Sequence, residues 1–172
     1  MGSLAALPHL KKNGGALINV GSEVSDAVAP MLGMYSASKH AVKGFTDALR
    51  VEIERLDQAP VSITLIQPTA VDTPFDDHAK NYMEKAADLP TPMIDPEKGA
   101  DAILSAAEKP TRDVKVGMMA KVNTFTAKNL PGLHDRMSAK QVQNLKRDEP
   151  PMDREGALHA PSNSGQTHGR HA

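Results

Sequence analysis

Three observations in the 172-residue sequence predict an α/β fold with a parallel sheet of about three strands and flanking helices. Short aliphatic or β-branched runs stand at 16–20, 61–66 and 114–118. A long amphipathic pattern fills 36–56, and a second helical segment precedes the last run. Helices and strands therefore alternate, and parallel neighbours require such crossovers.

Ala16, Leu17, Ile18, Asn19 and Val20 lie between Gly14-Gly15 and Gly21, as expected of a strand buried on both faces. From Ser36 to Leu56, the residues Val42, Phe45, Leu49, Ile53 and Leu56 recur at helical spacing, which leaves Asp47, Arg50, Glu54 and Arg55 for the solvent face. Val61 to Ile66 is bounded by Pro60 and Pro68 and completes a βαβ unit. Asp95-Pro96-Glu97 has the chemistry of a helix start, with Asp as cap and Pro at the first helical position, and Pro110 stops that helix after about Lys109. Val114 to Met118 is the third strand. Leu133, Met137, Val142 and Leu145 give a weaker helical pattern over 133–145. After Arg147, proline, glycine and serine displace the aliphatics, so 148–172 reads as a disordered tail beside one domain over 1–147. No internal repeat is present.

Bulk properties exclude several classes of function. A hydrophobic share of 40% and a net charge of -1 fit a soluble globular domain. Basic residues are interleaved with acidic ones, so no nucleic-acid footprint is present. The lack of cysteine removes disulfide frameworks and thiolate metal sites, in keeping with the cytoplasm. No apolar run reaches the roughly 20 residues of a membrane span, and Pro8 breaks the opening stretch too early for a secretory signal. His159, His168 and His171 lack metal-ligand spacing, so no metal is expected. His40 reads as a solvated or interfacial residue, Tyr82 as packing or a loop contact, and the nine methionines as core filler.

Chemistry concentrates in Gly33-Met34-Tyr35-Ser36-Ala37-Ser38-Lys39. On a helix, Tyr35 and Lys39 share one face. A phenol is a poor proton shuttle at neutral pH, and a nearby cation favours its phenolate form. Ser22 stands at the end of the first strand, the edge at which parallel α/β sheets place ligands. A serine that donates to a carbonyl oxygen while a tyrosine protonates it suits carbonyl reduction, or alcohol oxidation in reverse. The hydride must come from a cofactor.

Ser22, then Tyr35-Ser36-Ala37-Ser38-Lys39-His40-Ala41-Val42, then Pro68-Thr69-Ala70-Val71-Asp72-Thr73-Pro74-Phe75 resembles the C-terminal half of a short-chain dehydrogenase/reductase. The resemblance implies a Rossmann-like, doubly wound sheet and a carbonyl/alcohol interconversion that uses NAD or NADP on a small-molecule substrate. Position by position, it implies Tyr35 as acid/base, Lys39 as the cation that favours phenolate and holds the nicotinamide ribose, and Ser22 as the group that orients the carbonyl. The loop from Pro68 to Thr73 would meet the nicotinamide carboxamide through backbone near Val71 and the cofactor through the Thr73 hydroxyl. Phe75 to Pro92 would form a lid over the substrate. The helix from Ser36 to Leu56 would be the surface for homo-oligomer formation.

The sequence also departs from that family. Thr69 stands where many members have glycine. No two of the twelve glycines are spaced i, i+2, so the fingerprint that cradles pyrophosphate is not present, nor are the Asn-Asn-Ala-Gly strand segment and the upstream catalytic asparagine. Met1 to Gly15 matches the latter part of the helix before the family's fifth strand. The expectation is thus a truncated chain whose first strand has an open edge, with little dinucleotide affinity by itself. The competing expectation is a catalytically inactive fragment that acts as an interaction module. Extended-branch epimerases share the Tyr-x-x-x-Lys pair, but their Tyr-Gly-Pro stretch does not follow Lys39.

Overall fold

The computed structural model describes residues 1–151, 155–161 and 165–170. Helix α1 (Gly2–Asn13) leads into β1 (Gly15–Val20), a 3-10 turn (Glu23–Ser25) and α2 (Gly33–Arg50), which continues as a π-helical stretch (Val51–Leu56). Then come β2 (Val61–Pro68), α3 (Phe75–His78), α4 (Pro96–Glu108), β3 (Asp113–Val116), α5 (Met118–Asn129) and α6 (Pro131–Gln141). The strands pair in the order β1-β2-β3, all parallel, with Val20 opposite Ile66 and Pro68 opposite Val116. Their C-terminal ends therefore open on one edge of the sheet.

Strand alternation builds two cores. Leu17 and Ile63 face Leu7 of α1 and Leu49 and Ile53 of the second helix. Ile18, Ile66 and Val116 face the other way, against Ala102, Ile103 and Ala106 of α4. Helices thus cover both faces, the doubly wound arrangement the sequence predicts.

The inward face of α2 differs from the expected one. Arg50, expected in solvent, is 4% exposed. Its Nε donates to the Ile63 carbonyl at 2.9 Å, Nη2 donates to the Arg112 carbonyl at 2.9 Å, and Nη1 pairs with Asp47. These bonds are what let a charge sit at a position that would otherwise demand an apolar residue. Thr46 is also fully buried and accepts from Asn19 Nδ2 at 2.9 Å, which ties α2 to β1. With Thr46 and Arg50 turned inward, Phe45 and Leu56, expected in the core, are exposed.

Other elements shift as well. β1 is only partly buried although both its faces are covered, because among the described residues no strand flanks its outer edge, and Val20 is exposed. The third strand ends at Val116, and Met118 begins α5, because Gly117 turns the chain with a φ of 91°. The sequence pattern does not reveal α5. Its buried positions include Thr124 and Thr126, whose hydroxyls donate to the Ala120 and Val122 carbonyls. The last helix starts at Pro131 and turns His134 and Ser138 inward, leaving Leu133 exposed. Asp95 holds the N-cap position of α4 without a side-chain cap bond. Of the segment 148–172, residues 152–154, 162–164 and 171–172, with His171, lie outside the described residues. Within it the Glu149 carbonyl accepts from the Ala86 amide, and the Gly169 amide donates to the Asp72 carbonyl. No helix among the described residues is long and apolar enough to cross a membrane.

Candidate active site

Tyr35 lies in the first turn of α2 and is 38% exposed. Lys39 follows one turn later, with Nζ 5.7 Å from the centre of the tyrosine ring. That ammonium also donates to the carbonyl of Val20 at 3.2 Å. Lys39 therefore bridges α2 to the end of β1, two residues before Ser22. Burial pushes its ammonium below the ordinary lysine value.

Ser22 is 9% exposed and caps the Glu23–Ser25 turn, its Oγ accepting from the Val24 amide at 3.3 Å. With an acceptor site so used, the hydroxyl proton remains to be donated. The turn packs against α2, and Ser36 Oγ accepts from the Ala29 amide at 3.1 Å. Beneath Ser22 runs a polar network. Fully buried Gln67 donates to Asp26 Oδ2 at 2.7 Å and to the Ser22 carbonyl at 3.4 Å, and accepts from Lys115 Nζ at 3.0 Å. Burial works against the Asp26 carboxylate, but hydrogen bonds from Lys115 and Gln67 outweigh it and hold the group below its ordinary value.

The Pro68–Thr73 loop leaves the neighbouring strand at the same edge. The Thr69 amide donates to Val116, while Val71 and Ile94 bridge through bonds on either side, Ile94 to Ala70 and Asp72 to Ile94. Thr69 is buried, and its methyl fills the space that a Cβ on Gly117 would need, only 2.7 Å away.

A cavity of about 720 Å³ adjoins this edge, within the range of small-molecule sites. Its wall is formed by the stretch after Ser22, by α5 and α6, and by much of 75–90, the segment expected to act as a lid. Apolar side chains such as Val24, Leu32, Phe75, Met119, Met137 and Leu145 predominate. Ser22, Tyr35 and Lys39 are not in that wall, but Glu23 is. Burial raises the Glu23 carboxyl above the usual range, opposed by hydrogen bonds from Thr69 and Asn123, the latter at 3.2 Å. His134 is buried with Thr126 and Ser138 hydroxyls 3.3 Å from its two ring nitrogens. Sequence reasoning missed Glu23, Asn123 and His134; only the position of Glu23 next to Ser22 hinted at a site. His40 is exposed, with Nδ1 2.9 Å from the Ser36 carbonyl, and Tyr82 is 87% exposed with Lys80 over its ring.

The family model described as short chain dehydrogenase matches residues 1–84, which hold Ser22, Tyr35, Lys39 and the Pro68–Thr73 loop. The uncharacterized oxidoreductase YxnA of Bacillus subtilis is 39% identical over 155 residues, 88% of this chain and 43% of that protein. The chain belongs to the short-chain dehydrogenase/reductase family. Another relative, the 3-amino-tetrahydro-pyrrolizinone reductase of Xenorhabdus hominickii, is 38% identical over 70 residues, 41% of this chain and 23% of that protein. Among solved structures, a short chain dehydrogenase from Burkholderia cenocepacia in complex with NADP is 31% identical with a TM-score of 0.61, covering 75% of this chain and 51% of that one. The three-stranded parallel sheet, covered by helices on both faces, is consistent with that family's fold, and the chain spans about half or less of these relatives.

Proposed function

We propose that this chain carries the proton-transfer and substrate-binding part of an NAD(P)-dependent oxidoreductase that interconverts a carbonyl and an alcohol. The observation that carries the reading is the Tyr35–Lys39 pair, anchored by Lys39 to the end of the strand that delivers Ser22.

The residues present fit one end of a nicotinamide dinucleotide. Tyr35 is accessible, and Lys39 has three donors, one of them engaged with the Val20 carbonyl, so it can reach a ribose hydroxyl. The loop of Pro68, Val71 and Thr73 stands at the same strand edge, where it would face the nicotinamide. Among the described residues, the glycine that opens a helix after a strand is Gly117, and Thr69 fills the space beside it, so no pyrophosphate cradle is formed there. When bound, the dinucleotide supplies the hydride.

Ser22 donates a hydrogen bond to the substrate oxygen, keeping its proton, and fixes the carbonyl's orientation. Tyr35 gives the proton that completes the alcohol, or takes it in the reverse direction. Lys39 favours the phenolate electrostatically, most strongly in a site from which water is excluded. The apolar cavity beyond Glu23 suits a carbonyl compound with an aliphatic or aromatic body, and Glu23 can accept a bond from a hydroxyl on it. The exposed Met34, Phe45, Val51 and Leu56 support self-association along the second helix.

Turnover of apolar ketones and aldehydes, with NADH and with NADPH, by a chain in which the family's dinucleotide-binding half is restored ahead of these residues tests this. Tyr35→Phe keeps the ring and removes the transferable proton, so turnover is expected to fall by about 10²–10⁴-fold, with cofactor affinity little changed. Wild-type turnover in Tyr35→Phe would remove the assignment.

A further inference from the structure

We propose that Arg147 is a positioning residue for the substrate lid, drawing residues 76–88 onto the segment that follows α6 and so setting the mouth of the cavity. The inference rests on reading that cavity as the substrate site. The two segments pair as a short antiparallel bridge: the Asp88 amide donates to Leu145, the Arg147 amide to Ala86, and the Ala86 amide to Glu149, at 3.1, 2.9 and 2.8 Å. The Arg147 side chain is 16% exposed and stands at the centre of this pairing.

Its Nη2 lies 3.3 Å from both Asp76 Oδ2 and Asp88 Oδ1, and Nη1 lies 3.9 Å from Asp77 and 3.8 Å from Glu149. One guanidinium therefore spans both ends of the lid, since Asp76 lies in α3 and Asp88 near its far end. Asp76, Asp88 and Leu145 all belong to the cavity wall, so the position of this guanidinium is transmitted directly to the opening. On the outer side, Arg170 pairs with Asp77 at 3.1 Å and Glu149 at 3.0 Å. Four carboxylates thus meet two guanidiniums. Asp76 Oδ1 is buried with no hydrogen-bond partner among the described residues. Removing Arg147 would leave Asp76, Asp77 and Asp88 facing Glu149 on the opposing segment without the cation that joins them, so the lid would loosen from that segment.

Hydrogen exchange on the purified protein reads this without any need for substrate. In Arg147→Ala the amides of Ala86, Asp88 and Arg147's own position are expected to exchange at least about tenfold faster, while Leu65 and Ile66 in the sheet keep their protection. Adding Asp76→Asn to Arg147→Ala is expected to return part of that protection. Kinetics with apolar ketones should show a raised KM and a smaller change in kcat. Unchanged lid exchange, or equal loss at Leu65 and at the lid, would overturn the proposal. Should Arg147→Ala fail to fold, Arg147→Lys decides: faster exchange confined to the lid supports the proposal, and wild-type exchange overturns it. Tyr35→Phe, by contrast, should abolish turnover and leave lid protection intact, so failure of the catalytic reading remains distinct from failure of this one.

Discussion

Gly117→Ala probes the contact between the Pro68–Thr73 loop and the start of α5. The new Cβ would stand 2.7 Å from Thr69 Cγ2 and 3.2 Å from Ile94 Cγ2, on a backbone whose φ is 91°. Over-packing of this kind costs about 1–3 kcal/mol, and a side chain in this extended positive-φ region, ψ 152°, which glycine almost alone adopts, adds about 1–3 kcal/mol. A loss of roughly 2–6 kcal/mol is therefore expected. Thr69→Gly alone should also destabilise, by about 1–2 kcal/mol, because it empties buried space and removes the hydroxyl that bonds to Glu23. Combined, the two changes should be less harmful than their sum by about 1–3 kcal/mol, since removing Thr69 removes the closest contact of the new Cβ. The backbone contribution and the Ile94 contact persist, so full recovery is not expected. Urea unfolding of the four proteins, read as midpoint and slope, gives the coupling directly. Additivity within about 0.5 kcal/mol would refute the idea that Thr69 is accommodated by the missing Cβ of Gly117.

The Asp76 carboxyl is raised to about 6, chiefly by burial and further by Asp88 and Asp77, against the pull of Arg147. A folded value above the unfolded one means that stability falls as pH rises from the unfolded carboxyl value to about 6 and levels off above it, so Asp76→Asn should stabilise at pH 7.5 by up to about 3 kcal/mol and do little at about pH 3, below both values. Equal effects in thermal unfolding at the two pH values would contradict this. Gln67→Leu should destabilise by about 1–3 kcal/mol in urea, because it strips a buried partner from Asp26 and from Lys115. A neutral outcome would show that water replaces those bonds.

Periodicity made most of the scaffold legible: β1, the second helix, β2, α4 and β3 all stand where apolar spacing and proline punctuation predict them. It failed where burial and polarity part company. Arg50 looks like a surface residue until the carbonyls of Ile63 and Arg112, distant in sequence, are brought to it. α5 escaped notice because its threonines bury their hydroxyls on their own helix backbone. At the site, Tyr35 and Lys39 were readable because their pairing is local, one helical turn. The cavity and the Arg147 cluster join segments far apart in the chain, and no local spacing encodes such a meeting.

The burial of Arg50 reaches farther than its own neighbourhood. It lies fifteen residues beyond Tyr35, about 22 Å along the axis of α2. Since each residue of a helix turns it by about 100°, sliding the registration of Arg50 against β2 by a single position would swing the phenol well out of line with Lys39's strand-end anchor. The guanidinium thus acts as an angular stop, clocking the helix so that its opposite end presents the phenol in one orientation. Activity lost on changing Arg50 would arise from misalignment at the far end of a rigid rod, with every reacting group still in the sequence.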